Sequence, residues 1–168
     1  MPSIKISKEM DHKPFFLTMT VKNWYYLFDR HSRWEILLKS LRFCQKNKNL
    51  KVSAWVFMMN HIHLIVQSDD VSGFVRDFKT FTSKEIKKNL LATEPNVLDI
   101  FLDADGKYEL WQKTNMPKAI ETGAFFQQKV EYIEHNPVRK TYVKRPEDWI
   151  WSSANTDALL HLDHPWEE

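Results

Sequence analysis

Two short runs concentrate the side chains able to do chemistry. His61-Ile62-His63 sets two imidazoles at alternate positions, and Tyr132-Ile133-Glu134-His135-Asn136-Pro137 sets a phenol and an amide four residues apart. On a strand, alternate residues share a face, so both imidazoles project together while Ile62 enters the opposite, apolar layer. Two neutral imidazoles on one face begin a divalent-metal site; a pair of half-buried histidines at a strand end fits the tripeptide as well. Ile65 stands where the His-x-His-x-Asp pattern of metallo-hydrolases needs its carboxylate, which counts against a dinuclear hydrolytic centre. On a helix, Tyr132 and Asn136 share one face with Gln128 a turn earlier, while Phe126, Val130 and Ile133 form the buried stripe. The plainer account makes Tyr132 a residue at the edge of the core and Asn136 a cap before the proline.

The elements that must position these groups follow from periodicity. Pro14 to Val21 alternates Phe15, Leu17, Met19 and Val21 against Phe16, Thr18 and Thr20, the pattern of a strand. Ser32 and Glu35 have capping-box spacing ahead of a helix reaching about Lys48, with Trp34, Leu37, Leu38, Leu41 and Cys44 on one stripe. The runs Val52 to Met59 and His63 to Gln67 join at Asn60 as a hairpin or one bent strand. Asp69, Asp70 or Ser72 caps a second helix striped by Phe74, Phe78 and Phe81. Thr93 to Gly106 reads as a loop, Tyr108 to Gln112 as a short strand, and about Ala124 to His135 as a helix that Pro137 stops at or before Asn136. The order β, α, β, β, α, β with an added helix predicts an α+β, ferredoxin-like sandwich: a mainly antiparallel sheet with helices on one face, and a C-terminal helix carrying Tyr132.

Composition supports one domain over residues 1–156 with an acidic, flexible tail over 157–168. The chain has 168 residues, 43% of them hydrophobic and 14% aromatic, enough for a core and too apolar for general disorder. No window approaches ~18 consecutive apolar residues and Met1 to Lys13 is polar, so neither a membrane span nor a secretory signal is expected, and the reading is cytoplasmic. A lone cysteine, Cys44, excludes internal disulfides and multi-cysteine zinc sites; on its helical stripe it reads as a small buried hydrophobe. The formal charge is only +2. The last twelve residues, however, hold four of the 22 acids and none of the 24 bases, so the body alone stands at +6 and suits a polyanionic partner.

The runs Met59-Asn60-His61-Ile62-His63-Leu64 and Tyr132-Ile133-x-x-Asn136-Pro137-Val138-Arg139 occur in that order, followed by Lys144-Arg145-Pro146-Glu147-Asp148-Trp149-Ile150-Trp151-Ser152-Ser153-Ala154. Together they resemble the single-tyrosine HUH transposases and, more narrowly, the REP-associated tyrosine transposases, from Phe16 through Leu110-Trp111-Gln112 to Ala154. The resemblance implies that His61 and His63 bind Mg²⁺ or Mn²⁺ at a scissile phosphate of single-stranded, hairpin-forming DNA. It also implies that Tyr132 attacks, leaving a 5′-phosphotyrosine and a free 3′-OH. A phenol with a pKa near ~10 in water is a poor nucleophile at neutral pH, so a cation that stabilises developing charge suits this chemistry. Relatives take a third ligand one helical turn after the nucleophile, here Asn136, with Gln128, Glu131 and His135 left as alternatives. Insertion-sequence relatives exchange tyrosine helices as dimers, and REP-associated ones are often monomers, so monomer and homodimer both stay open.

For DNA contacts, the natural cations are Arg76, Lys79 and Lys84 on the second helix and Arg139, Lys140, Lys144 and Arg145 after the tyrosine. Charge on the outer face of an amphipathic helix also serves simple solvation. Trp149, Trp151, Ser152 and Ser153 read as closure of the fold. The rival reading of the chain is a catalytically silent single-strand-binding module; such a binder has no need of His61, His63 and Tyr132 together.

Overall fold

The computed structural model describes residues 12–166. The expected hairpin and helices are present: β1 (Phe15–Thr20), α1 (Arg33–Asn47), β2 (Lys51–Phe57), β3 (His61–Gln67), α2 (Val71–Thr93), β4 (Lys118–Ala119) and α3 (Gly123–Arg139). The four strands form one sheet in the order β2-β3-β1-β4, every pair antiparallel. This is the ferredoxin-like arrangement, because each βαβ unit leaves a gap that a strand of the other unit fills. No helix among the described residues is long and apolar enough to cross a membrane.

Alternation along the strands divides the core in two. Leu17, Met19, Ile62, Leu64 and Val66 point to one face, where Leu37 and Leu41 of α1 and Phe74 and Phe78 of α2 pack on them. Phe16, Val56 and Ile65 point to the other face, under Phe126 and Ile133 of α3. Helices therefore cover both faces, rather than one, and α3 lies alone on its side.

Four local expectations are corrected. Ser32 precedes α1 in a left-handed conformation (φ 58) and its hydroxyl caps nothing; the α1 entrance is set instead by buried Arg33, which donates to Leu27 O at 3.0 Å and Glu94 at 2.7 Å. The run Tyr108 to Gln112 is not a strand. It touches the end of β1 only as the isolated pair Val21 and Trp111, with Trp111 turned into the core to donate to Thr82 Oγ1 at 3.0 Å. After Met116 (φ 44) the chain rejoins β1 as the two-residue β4. α3 runs three residues past its expected stop, through Pro137 to Arg139. A proline in the last turn removes one donor, and the Lys140, Thr141 and Tyr142 amides still close onto the carbonyls of Asn136, Val138 and Pro137. Asn136 is thus inside the helix, not its cap.

The tail expected to be free is laid along the sheet as far as Trp166, Glu167 and Glu168 lying outside the described residues. Arg42 holds Leu159 O, Gln45 holds His161 O, and the Asp163 amide bonds Val52 O at 2.8 Å. Leu160 is buried, and His164 and Trp166 each stand 5.1 Å from the Phe126 ring of α3. The Trp-Ser-Ser block closes the same edge: Phe57 donates to Trp151 O and Ser153 to Trp55 O.

Since α3 is held to the sheet chiefly by Phe126 and Ile133, truncating fully buried Ile133 removes contacts that its neighbours cannot replace. Ile133→Ala is expected to lower stability by ~2–5 kcal/mol in urea unfolding; a change within error would show that α3 is not fastened through this residue.

Candidate active site

The antiparallel register sets Thr20 opposite His61 and Thr18 opposite His63, so all four side chains emerge on the α3 face. His61 Nδ1 lies 2.7 Å from Asn60 Oδ1, and the same amide donates from Nδ2 to Trp24 O at 3.0 Å. An amide oxygen only accepts, so the His61 proton sits on Nδ1 and its Nε2 keeps a lone pair. His63 Nδ1 lies 2.9 Å from Thr18 Oγ1, which holds that ring from behind. Both imidazoles are driven neutral. Burial, then Lys140, lowers His61 to about 4; burial, then His61, Arg139 and Lys129, lowers His63 to about 3. Neutral rings with Nδ1 engaged are the state in which Nε2 ligates a metal.

α3 brings the other two candidates to this place. Asn136 is 4% exposed, lines the cleft, and its amide makes no hydrogen bond with the described residues. Tyr132, one turn earlier, is 40% exposed at the mouth. Its ring meets His63 edge-on at 5.4 Å and Phe16 at 5.8 Å, while Phe16 stacks on His63 at 5.4 Å. Two cations flank the phenol ring: the Arg139 guanidinium at 4.5 Å from its centre and Lys129 Nζ at 5.2 Å. Arg139 also donates to Tyr132 O. Such contacts are worth ~0.5–2 kcal/mol each and fix the ring more than they stabilise the fold.

The resulting open cleft, ≈ 470 Å³, lies between the Thr18, Thr20, His61 and His63 side of the sheet and the Tyr132, Asn136, Arg139 and Lys140 face of α3, with Trp24 and Asn60 at one end. Among the described residues no group of three His, Cys, Asp or Glu side chains is placed to hold a metal ion. A cation here would rest on two imidazole nitrogens and the Asn136 amide oxygen, a mixed nitrogen and oxygen set that fits Mg²⁺ or Mn²⁺ when substrate oxygens complete the shell. Gln128, Glu131 and His135 are exposed and do not line the cleft; His135 Nδ1 turns back to Glu131 O at 3.0 Å.

Of the seven candidate DNA-binding cations, Arg139 and Lys140 line the cleft. Lys144 is exposed outside it and Arg145 is paired with Asp148 at 2.9 Å. Arg76, Lys79 and Lys84 belong to α2, across the sheet; Arg76 pairs with Asp77, and Lys79 donates to Gln112 O with its pKa lowered by burial to about 8. Sequence reasoning missed Lys129, Trp24, Thr18 and Thr20 as parts of the site. The polar alternation of β1 was the available signal for the threonines. Cys44 is buried in the main core with its thiol pushed up by burial, far from any nucleophile's environment.

Residues 15–136 match the family described as Transposase IS200 like. The chain belongs to that family. This IS200-like chain is similar to the REP-associated tyrosine transposase of Escherichia coli (strain K12), 26% identical over 134 residues that cover 78% of this chain and 70% of the relative. It shares its fold with a solved REP-associated tyrosine transposase bound to a REP hairpin, at a TM-score of 0.71 and 21% identity, covering 100% of this chain and 92% of that one.

Two outcomes test the site. Asn60→Ala, which frees the His61 ring and the Trp24 carbonyl together, is expected to weaken Mn²⁺ binding ~10–100-fold in titration calorimetry; unaltered binding would remove Asn60 from the site. In chelator, stability is expected to fall as pH drops below ~6.5, because the unfolded chain then takes up protons on His61 and His63 that the folded chain refuses down to about 4 and 3. Denaturant curves from pH 7.5 to 4.5 should show a smaller fall for His63→Gln than for the natural sequence; equal falls would contradict the burial account.

Proposed function

We propose that this IS200-like transposase cleaves and rejoins single-stranded, hairpin-forming DNA with Tyr132 as nucleophile and His61, His63 and Asn136 as ligands of Mg²⁺ or Mn²⁺. The observation that carries the reading is that residues separated by some seventy positions in the sequence, the imidazole pair and the Tyr132-Asn136 pair, meet across one basic cleft. When bound, the cation would withdraw charge from the scissile phosphate. The remaining work falls to the chain. Arg139 and Lys140 attract and hold the phosphate in the cleft. Phe16, His63 and Arg139 fix the phenol ring at the mouth, so attack begins from an oriented nucleophile. The phenol oxygen forms a bond to phosphorus as the bond from phosphorus to the 3′ oxygen breaks, and the phenol proton is passed in net to that oxygen, giving a 5′-phosphotyrosine and a 3′-OH. The new ester retains the energy of the old one, so a different 3′-OH can reverse the step and rejoin strands. The similarity to a protein bound to a REP hairpin supports a hairpin substrate, and the +6 body supports a polyanion.

Incubation with a hairpin oligonucleotide bearing single-stranded flanks and Mn²⁺ is expected to yield a covalent protein–DNA band on denaturing gels. Tyr132→Phe should abolish it, and His61→Ala and His63→Ala should reduce it at least ~100-fold. An adduct persisting in Tyr132→Phe would place the nucleophile elsewhere.

A further inference from the structure

Trp24 is hard to explain by folding alone. Its side chain is among the most exposed large apolar groups of the protein, at 67%, and the indole makes no hydrogen bond or ring contact among the described residues. Its backbone is nevertheless held in a costly conformation. Asn23 (φ 61) and Trp24 (φ 50) are consecutive left-handed residues, and for a side chain as bulky as tryptophan that region is an outlier. Three bonds impose it: Trp24 N to Val21 O at 3.0 Å, Asn60 Nδ2 to Trp24 O at 3.0 Å, and Asn23 Nδ2 to Ile100 O at 3.4 Å. The second comes from the amide that orients His61, so the placement of Trp24 and of the imidazole are set by one residue. Neighbouring Tyr26 is also exposed but does not line the cleft, whereas Trp24 does.

We infer that Trp24 is a specificity-determining platform on which the unpaired base adjoining the scissile phosphate stacks; the inference rests on the strand-transfer reading above. The cleft offers an apolar plane at the Trp24 end and the cations Arg139 and Lys140 on α3, which matches the two halves of a single-stranded nucleotide, a flat base and a charged phosphate. A base seated on Trp24 fixes which phosphodiester of the flank reaches Tyr132. Stacking accepts any base but needs an unpaired one, so the platform selects the single-stranded flank over the duplex stem.

The test uses the full chain in chelator, to prevent cleavage, with two probes: a hairpin whose single-stranded flank carries 2-aminopurine, and the same hairpin without its flank. Trp24→Asn removes the aromatic plane while suiting the left-handed backbone; Trp24→Phe keeps a plane, and Trp24→Leu keeps apolarity without one. The natural protein and Trp24→Phe are expected to quench 2-aminopurine and to bind the flanked hairpin within a few-fold of each other. Trp24→Asn and Trp24→Leu are expected to lose the quench and ~10–100-fold in affinity for the flanked hairpin, the worth of about one stacked base, and to bind the unflanked hairpin as the natural protein does. Equal binding of the flanked hairpin by Trp24→Asn and the natural protein would overturn the inference alone, as would an equal loss on both probes. A natural protein that binds neither probe, or forms no Tyr132-dependent adduct with metal restored, would overturn the strand-transfer reading and this inference with it.

Discussion

The register of β1 against β3 is the constraint on which the site depends. Because Thr18 faces His63 and Thr20 faces His61, the polar alternates of one strand meet the imidazoles of the other on the α3 side, while Met19 and Ile62 close the core behind them. Strand side chains alternate, so a slip of one residue would bury both histidines among the α1 and α2 packing and present apolar residues to Tyr132. The register is pinned by hydrophobic burial on both faces, Leu17 and Leu64 on one and Phe16 and Ile65 on the other. The chemistry-bearing pair therefore inherits its orientation from the core.

Burial and charge then act together on the pair. Arg139 and Lys140, which line the cleft, and Lys129, beside the Tyr132 ring, disfavour protonation of His61 and His63 and favour an anion near them. Neither imidazole carries a charge that would compete with a phosphate's counter-cation, and each is steadied from its Nδ1 side, by Asn60 or Thr18. Tyr132 is steadied differently, by ring contacts and by Arg139, about two turns farther along its own helix. Its helix is fastened in turn by the C-terminal strap, whose His164 and Trp166 rings meet Phe126.

Much of this was legible in the sequence where local rules coincide with tertiary ones. The alternation in Phe16 to Val21, the His61-Ile62-His63 pattern and the four-residue spacing of Tyr132 and Asn136 each reported a face, and those faces line one cleft. Misreadings arose where packing overrode a local preference. Ser32 had the spacing of a cap, but the chain entering α1 bends to bury Arg33, and the hydroxyl is lost to the cap. Pro137 carried a stop signal, yet a buried proline so near a helix end removes too little to end it. Tyr108 to Gln112 was rich in strand formers because Trp111 is a core residue, not because the run is pleated. The basic face of α2 could not be assigned to a side of the sheet before the sheet existed.

Both edges of the sheet are blunted. β4 is two residues long, and β2 is bonded by the Trp151 to Ser153 segment and farther along by Asp163. A sheet with no long free edge has no template on which another chain could add a strand, so the usual route to edge-to-edge aggregation is shut. Main-chain recognition by strand addition is shut with it. What the sheet leaves open is its α3 face, where side chains and not backbone groups do the recognising, and a partner must be read by rings, amides and cations.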